Sequence, residues 1–283
     1  MPHIAYYKDS FIDVNDRAIP IQDRAHQFGD GIYEVIRVYE GNPFEYHAHL
    51  DRLERSAEAI RMPLPFQREE LTALINEGLK RAAIPEAEIY LQVSRGNSPR
   101  NHAFPKPQES ILAMVIKEAR TVSADLKKQG AALLPVEEDR WKNCYIKSLN
   151  LLSNVMAKQK AQESECHESI YVDEGIVKEG SSSNIFAVIN GALYTYPPER
   201  DILHGITRDV VIRLAKELGV TVHETKVDVN EYSQADEVFI TSTTMEVLPV
   251  RAFGETHYPD IRPVTDSLVS AFERYKKQMT GKL

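Results

Sequence analysis

Residues 32 to 39, dominated by β-branched and aromatic apolar side chains, have strand character, and the period of two in a strand then puts Tyr33, Val35, Arg37 and Tyr39 on one face. Gly29-Asp30-Gly31 opens that strand, and Glu40-Gly41-Asn42 closes it with the composition of a hairpin turn. The period then lengthens. Leu50, Leu53, Ala57 and Ile60 recur at helical spacing, as do Leu71, Leu74, Ile75 and Leu79, and predict two amphipathic helices. Strand-like runs at 89–94 and 111–116 flank a polar, proline-bearing loop, Arg95-Gly96-Asn97-Ser98-Pro99-Arg100-Asn101-His102, and irregular loops between strands are where function concentrates.

The pattern changes character at Arg120-Thr121-Val122-Ser123, which divides the chain into an N-terminal domain, 1–120, and a C-terminal domain, 121–283. Strands multiply in the second part. Runs at 169–172 and 176–179 bracket Asp173-Glu174-Gly175, and Asn190-Gly191, the strongest hairpin signal, joins 185–189 to 192–196. Two helices complete the reading. One runs from Thr207 to Leu218, with Val210, Val211, Leu214 and Leu218 on one stripe and Gly219 as its stop; the other carries Leu268, Val269, Phe272 and Tyr275. Strands mixed with helices in two domains make the fold class α/β, in the α+β sense.

Composition narrows the function. At 283 residues, 42% hydrophobic and 27% charged, the chain suits two modest globular domains. A net charge of -8, with its basic residues scattered, argues against a nucleic-acid partner. The N-terminus lacks the pattern of a secretory signal and no apolar run approaches membrane-spanning length, so no membrane partner is expected. Two cysteines, Cys144 and Cys166, offer neither a disulfide framework nor a zinc site; no metal is expected, and a reducing cytoplasm is the expected setting.

The chemistry lies in an ordered set of short segments: Ile146-Lys147-Ser148-Leu149-Asn150, Glu179-Gly180-Ser181-Ser182-Ser183-Asn184, Gly205-Ile206-Thr207-Arg208 and Thr241-Ser242-Thr243-Thr244. Taken alone, Lys147 reads as a solvated surface residue. Its neighbours Trp141, Tyr145, Ile146, Leu149, Leu151 and Leu152 look like core, however, and a buried ammonium is costly unless neutralised or paired. An imine to a carbonyl cofactor removes that cost. Glu179 alone is an exposed edge-strand acid; beside a pyridine nitrogen, a carboxylate keeps the ring protonated and makes it an electron sink. Gly205-Ile206-Thr207 enters a helix and Thr241-Ser242-Thr243-Thr244 ends the apolar run Val238-Phe239-Ile240. Each is an ordinary cap or turn alone, and together they make a cup for a phosphate dianion. Arg52, on the flank of a helical stripe and otherwise a surface residue, adds a fixed positive charge. The set reads as a pyridoxal phosphate site.

Read from Gly29-Asp30-Gly31-Ile32-Tyr33-Glu34-Val35 through the 95–102 loop to Ile240-Thr241-Ser242-Thr243-Thr244, the chain resembles the class IV, or fold type IV, pyridoxal phosphate aminotransferases over nearly its whole length. The resemblance implies a smaller N-terminal α/β domain and a larger C-terminal β-barrel-like domain that carries the cofactor lysine, in a homodimer. It implies that Lys147 holds pyridoxal 5'-phosphate covalently and shuttles the substrate proton, and that Glu179 pairs with the ring nitrogen. Arg52, Ser182, Leu203, Ile206, Thr207, Ser242 and Thr243 would complete the cofactor site, and Tyr33, Arg100 and His102 would grip the substrate carboxylate.

The Arg100-x-His102 pair directs the likeness to family members that act on D-amino acids, so the implied reaction is ping-pong transfer from D-alanine, D-glutamate or D-aspartate to 2-oxoglutarate or pyruvate. Within the family the alternatives are an R-selective amine transaminase, a branched-chain L-amino acid aminotransferase and an aminodeoxychorismate lyase. Outside it stands a non-catalytic binder of phosphate ligands.

Overall fold

The strand predicted near the N-terminus is built into a six-stranded antiparallel sheet. In the computed structural model, which describes residues 3–280, this sheet comprises β1 (Ile4–Tyr7), β2 (Ser10–Ile12), β3 (Gly31–Tyr39), β4 (Asn42–Pro43), β5 (Ala87–Ser94) and β6 (Ile111–Glu118), in the order β2-β1-β6-β5-β3-β4. A short helix, α1 (Arg24–Phe28), precedes β3, while α2 (Tyr46–Ala59) packs on β3 and α3 (Arg68–Ala82) on β1 and β6. Leu50, Leu53 and Ala57 of α2, with Leu71 and Ile75 of α3, are buried, as their spacing predicts. Register sets which side chains share a face: Tyr33 pairs with Gln92, Gln92 with Ala113, and Ala113 with Tyr7.

Residues 146–150 belong by their contacts with this first unit, together with the chain up to Arg120. That corrects the expectation that the C-terminal domain carries Lys147. The reason is backbone pairing. Tyr33 N donates to Lys147 O (3.0 Å), Leu149 N donates to Gly31 O (3.0 Å), and Ile32 and Ser148 form an antiparallel bridge, so the segment extends the sheet beside β3.

The second unit contains 121–145 and the chain from Leu151 onward. Its elements are α4 (Ala124–Gln129), β7 (Ala131–Glu137), α5 (Leu152–Glu163), β8 (Glu168–Asp173), β9 (Ile176–Gly180), β10 (Asn184–Ile189), β11 (Ala192–Thr195), α6 (Ile206–Glu217), β12 (Val222–Glu224), α7 (Val229–Ser233), β13 (Glu237–Ser242), β14 (Glu246–Phe253), β15 (Thr256–His257) and α8 (Pro263–Met279). Pairing runs β10-β13-β14-β7-β8-β9 and returns from β9 to β10 through Glu179 and Asn184, a closed, barrel-like circuit. Ile170, Val177, Ile185, Ile240, Leu248 and Val250 fill one core. On the other face Phe186 stacks on Phe239 (4.9 Å between centroids), and α6 and α8 pack against β13. Burial on both faces explains why β13 reads as a continuous apolar run.

Asn190 and Gly191 both have positive φ, 51° and 75°, the type I′ geometry that joins β10 to β11. Leu218 departs from its expected place in the α6 stripe: it caps the helix and is 42% exposed. The segment around Lys147 departs further. Ile146 is buried as expected, but Trp141 (45%) and Leu152 (76%) are exposed and Lys147 itself is only half-buried, so the stretch is core at one residue and surface at its ends.

Candidate active site

Extension of the sheet by residues 147–149 puts Lys147 beside Tyr33, and the Lys147 Nζ lies 4.3 Å from the Tyr33 ring centroid. Lys147 N also donates to Ser56 Oγ (3.2 Å), which ties the segment to α2. Tyr33 packs in turn on Tyr90, centroids 5.8 Å apart. The amine is therefore held at a sheet edge against an aromatic face, not sunk in apolar core.

On the neighbouring helix Arg52 is buried and directs its fork at Glu34, Nε to Oε1 at 2.7 Å and Nη2 to Oε2 at 2.8 Å. His49 Nδ1 meets Glu34 Oε2 at 2.7 Å. Burial opposes the Glu34 charge, but Arg52 and His49 overcome it and hold the carboxyl far below the usual range. Burial lowers the His49 pKa against the pull of Glu34. Glu34 and His49 were not singled out from the sequence. Glu34 lies between the apolar Tyr33 and Val35 in a strand, and an acid inside an apolar strand was the available signal.

Arg100 and His102 meet at the end of α1. Both are exposed, and both pack on Phe28, with Arg100 Cζ 4.9 Å from its ring centroid and the His102 ring at 5.3 Å.

In the second unit Glu179 stands at the strand pair that closes the circuit and is buried, 3% exposed. Arg140 Nη1 donates to it at 2.7 Å, Leu203 N at 3.0 Å and Asn184 Nδ2 at 3.1 Å. Burial pushes this carboxyl up to about 7 against the pull of Arg140 and the Leu203 amide, with Glu138 pushing the same way as burial. Arg140 gives its fork elsewhere, Nε and Nη2 to Glu138 at 2.9 and 2.6 Å. Arg140 and Asn184 are partners of Glu179 to which the sequence alone assigned no role. Cys144 is pushed up to about 12 by burial, with Arg140 opposing, and so is a neutral thiol.

Helix α6 begins at Gly205, whose N-cap position makes no side-chain cap bond, and a Cβ there would collide with Asn184 Oδ1. Thr207 is buried in the first turn, and the buried Thr241 Oγ1 at the end of the adjoining β13 has no hydrogen-bond partner. After it Ser242 Oγ accepts from Met245 N (3.0 Å), shaping the turn that carries Thr243. Uncapped amides, an orphaned hydroxyl and a turn of hydroxyls are the donor set a phosphate dianion requires. That donor set and the protonatable carboxyl of Glu179, both in the second unit, fit the phosphate and the ring nitrogen of pyridoxal phosphate, and Lys147 in the first unit is an amine of the kind its aldehyde condenses with. Ser182 Oγ donates to the buried Glu168 (2.6 Å), which also takes Ser181 Oγ (2.5 Å). Among the described residues no cluster of His, Cys, Asp or Glu has the makings of a metal site.

A family model described as amino-transferase class IV matches residues 31–253. The chain is 39% identical over 277 residues to a D-alanine aminotransferase of Listeria monocytogenes serotype 4b, with 96% of each covered. It is 40% identical over 254 residues to that of Bacillus licheniformis, with 88% of each covered. Among solved structures, a branched-chain amino acid aminotransferase of T.th. complexed with N-(5'-phosphopyridoxyl)-L-glutamate superposes with a TM-score of 0.89 at 27% identity, covering 99% of this chain and 95% of that one.

Proposed function

The chain belongs to the class IV aminotransferases, and we propose that it is a pyridoxal phosphate enzyme that moves an amino group from a D-amino acid to a 2-oxo acid. The observation that carries the chemistry is Glu179, a buried carboxyl with three donors whose pKa of about 7 lets it match a ring nitrogen in either protonation state. Handedness rests on the relatives, since the 39% likeness is to a D-alanine enzyme and the 27% likeness to a branched-chain one.

When bound, pyridoxal phosphate supplies a carbonyl that condenses with amines and a ring that draws electrons from the substrate α-carbon. The protein does the rest. Lys147 anchors the cofactor and, once displaced by substrate, takes the proton from the α-carbon; its seat on the Tyr33 ring keeps the amine in place for both tasks. Glu179 holds the proton of the ring nitrogen, and the Leu203 amide and Asn184 fix the carboxyl in position. The amides of Ile206 and Thr207, the hydroxyls of Ser242 and Thr243, and Arg52 bind the phosphate, while Ser182 borders the cofactor from its seat on Glu168. Tyr33, Arg100 and His102 bind the substrate carboxylate.

D-Alanine, D-glutamate and D-aspartate are the proposed donors, and 2-oxoglutarate and pyruvate the acceptors, in ping-pong order. The proposed working form is a homodimer in the cytoplasm that engages neither nucleic acid nor membrane. Leu152, Val155 and Met156, exposed on one side of α5, supply apolar surface for a second subunit, and both cysteines are free thiols as suits a reducing compartment. No described helix is long and apolar enough to cross a membrane.

A visible spectrum of the purified holoenzyme, taken before and after D-alanine or L-alanine in separate cuvettes, tests the reading. D-Alanine alone should convert the cofactor band to that of the aminated cofactor. Conversion by L-substrates alone would make the protein a branched-chain-type enzyme, and no band after cofactor addition would make it a binding protein. Lys147→Ala should lose turnover while keeping its far-UV circular dichroism; wild-type turnover would end the proposal.

A further inference from the structure

Two buried arginines stand behind an exposed loop. Arg24 (3% exposed) and Arg95 (1%) both direct their Nε at Asp30, at 2.8 Å for Arg24 and at 3.0 and 2.9 Å from its two oxygens for Arg95. Arg95 spans the loop's base: Nη1 donates to Arg61 O (3.1 Å) and Gln108 Oε1 (2.9 Å), and Nη2 to Ile60 O (2.8 Å). Arg24 grips the loop's far side. Its Nη1 donates to Asn101 O (2.5 Å) and Ala103 O (3.3 Å), and its Nη2 reaches His102 O at 3.5 Å. These carbonyls are consecutive, two within the Arg100-Asn101-His102 triplet and one just after it, so Arg24 holds the backbone directly behind Arg100.

The same helix shapes the triplet's side chains. Phe28, at the end of α1, is the ring on which both Arg100 and His102 pack. Gln27 Nε2 bonds Ser98 O (3.1 Å), and Asp23 forms a β-bridge with Asn97. Burying two guanidinium groups against one carboxylate is costly, and the carbonyls offset that cost only while the loop holds this conformation. The arrangement therefore makes loop conformation and charge burial one cooperative unit.

We propose that Arg24, oriented by Asp30 and assisted by Phe28, is a positioning residue that fixes the directions of Arg100 and His102 and so sets the affinity for the substrate carboxylate. This rests on the reading that Arg100 and His102 bind that carboxylate. An exposed ion pair contributes little when its side chains must be ordered on binding, and a preordered pair avoids that entropy cost. Arg24 is specific in this role because its planar fork serves Asp30 and the loop carbonyls at once, which a lysine cannot do.

The test compares steady-state kinetics of holoenzyme variants with D-alanine as donor. Arg24→Lys and Phe28→Leu should each raise KM about tenfold, equivalent to about 1.4 kcal/mol, with kcat within about twofold and an unchanged cofactor spectrum. Arg100→Ala should raise KM at least as much, and Arg24→Lys added to Arg100→Ala should raise it little further, because the two act through one contact. Unchanged KM in Phe28→Leu and Arg24→Lys, beside a raised KM in Arg100→Ala, would overturn the positioning role and leave Arg100 in place. A full additional tenfold rise in the double variant would also overturn it. If Arg100→Ala itself leaves KM unchanged, the underlying assignment fails and the proposal with it. Should Arg24→Lys not fold, Phe28→Leu and its combination with Arg100→Ala decide the matter alone.

Discussion

Glu34 and Glu179 are both buried carboxyls that face an arginine, 0% and 3% exposed, yet one is held far below the usual range and the other pushed up to about 7. Burial pushes both upward. What separates them is the arginine's fork. Arg52 gives Nε and Nη2 to Glu34, and His49 adds another bond, so the charge of Glu34 is fully matched. Arg140 gives its Nε and Nη2 to Glu138 and leaves Glu179 the remaining Nη1. Glu34 is thereby a permanent anion that holds structure, and Glu179 a titratable group free to answer a partner's charge.

The largest break in this contrast should come from Glu34→Ala, which leaves Arg52 buried without its matched charge and should cost about 3–5 kcal/mol in urea unfolding. A loss below about 1 kcal/mol would show that the fork is not what stabilises the first unit. Glu179→Gln should act through pH. A carboxyl that titrates at about 7 when folded, against an ordinary value of 4.5, is bound to its proton more tightly in the folded state. Its contribution, up to about 3 kcal/mol, is full below the unfolded pKa and is lost as pH rises through about 7. Melts of the cofactor-free protein should therefore show Glu179→Gln gaining on the wild type between pH 5 and pH 8; parallel curves would refute the raised pKa. With cofactor bound, the same substitution should slow turnover by about tenfold to a hundredfold, 1.4–2.7 kcal/mol, with the visible band retained. Equal rates would mean that the ring nitrogen is managed without Glu179. The smallest effect belongs to Glu138→Gln, which releases the Arg140 fork. The Glu179 transition should move to lower pH by about one unit, near 1.4 kcal/mol, in the same melts.

Elements with one covered face were legible in the chain, and those defined by distant partners were not. The periods of α2 and α3 follow from a buried side and a wet side, so their apolar positions repeat, while β3, with no exposed residue, shows as a nearly continuous apolar run. The α5 helix hid because Leu152, Val155 and Met156 point outward while only the small Ala157 and Ala161 are buried. Within the candidate site, Lys147 and Glu179 stood out because an amine and an acid sit near apolar runs. Their surroundings did not. Nothing local in Ile146-Lys147-Ser148 signals a pairing with Gly31 and Tyr33, and nothing in Arg140 shows that its fork goes to Glu138 rather than Glu179. The hold of Glu168 on Ser182 was hidden for the same reason, since the two are separated along the chain.

The strand-like segment at 147–149 also governs how the chain is made. A ribosome that has released residues 1–120 has delivered β3 with part of its edge unpaired, and that edge stays open until Asn150 has followed. A fragment cut at residue 120 thus carries a sticky border that invites pairing with a sister fragment, whereas a two-piece version of the protein needs its first piece to supply residues 146–150 as well.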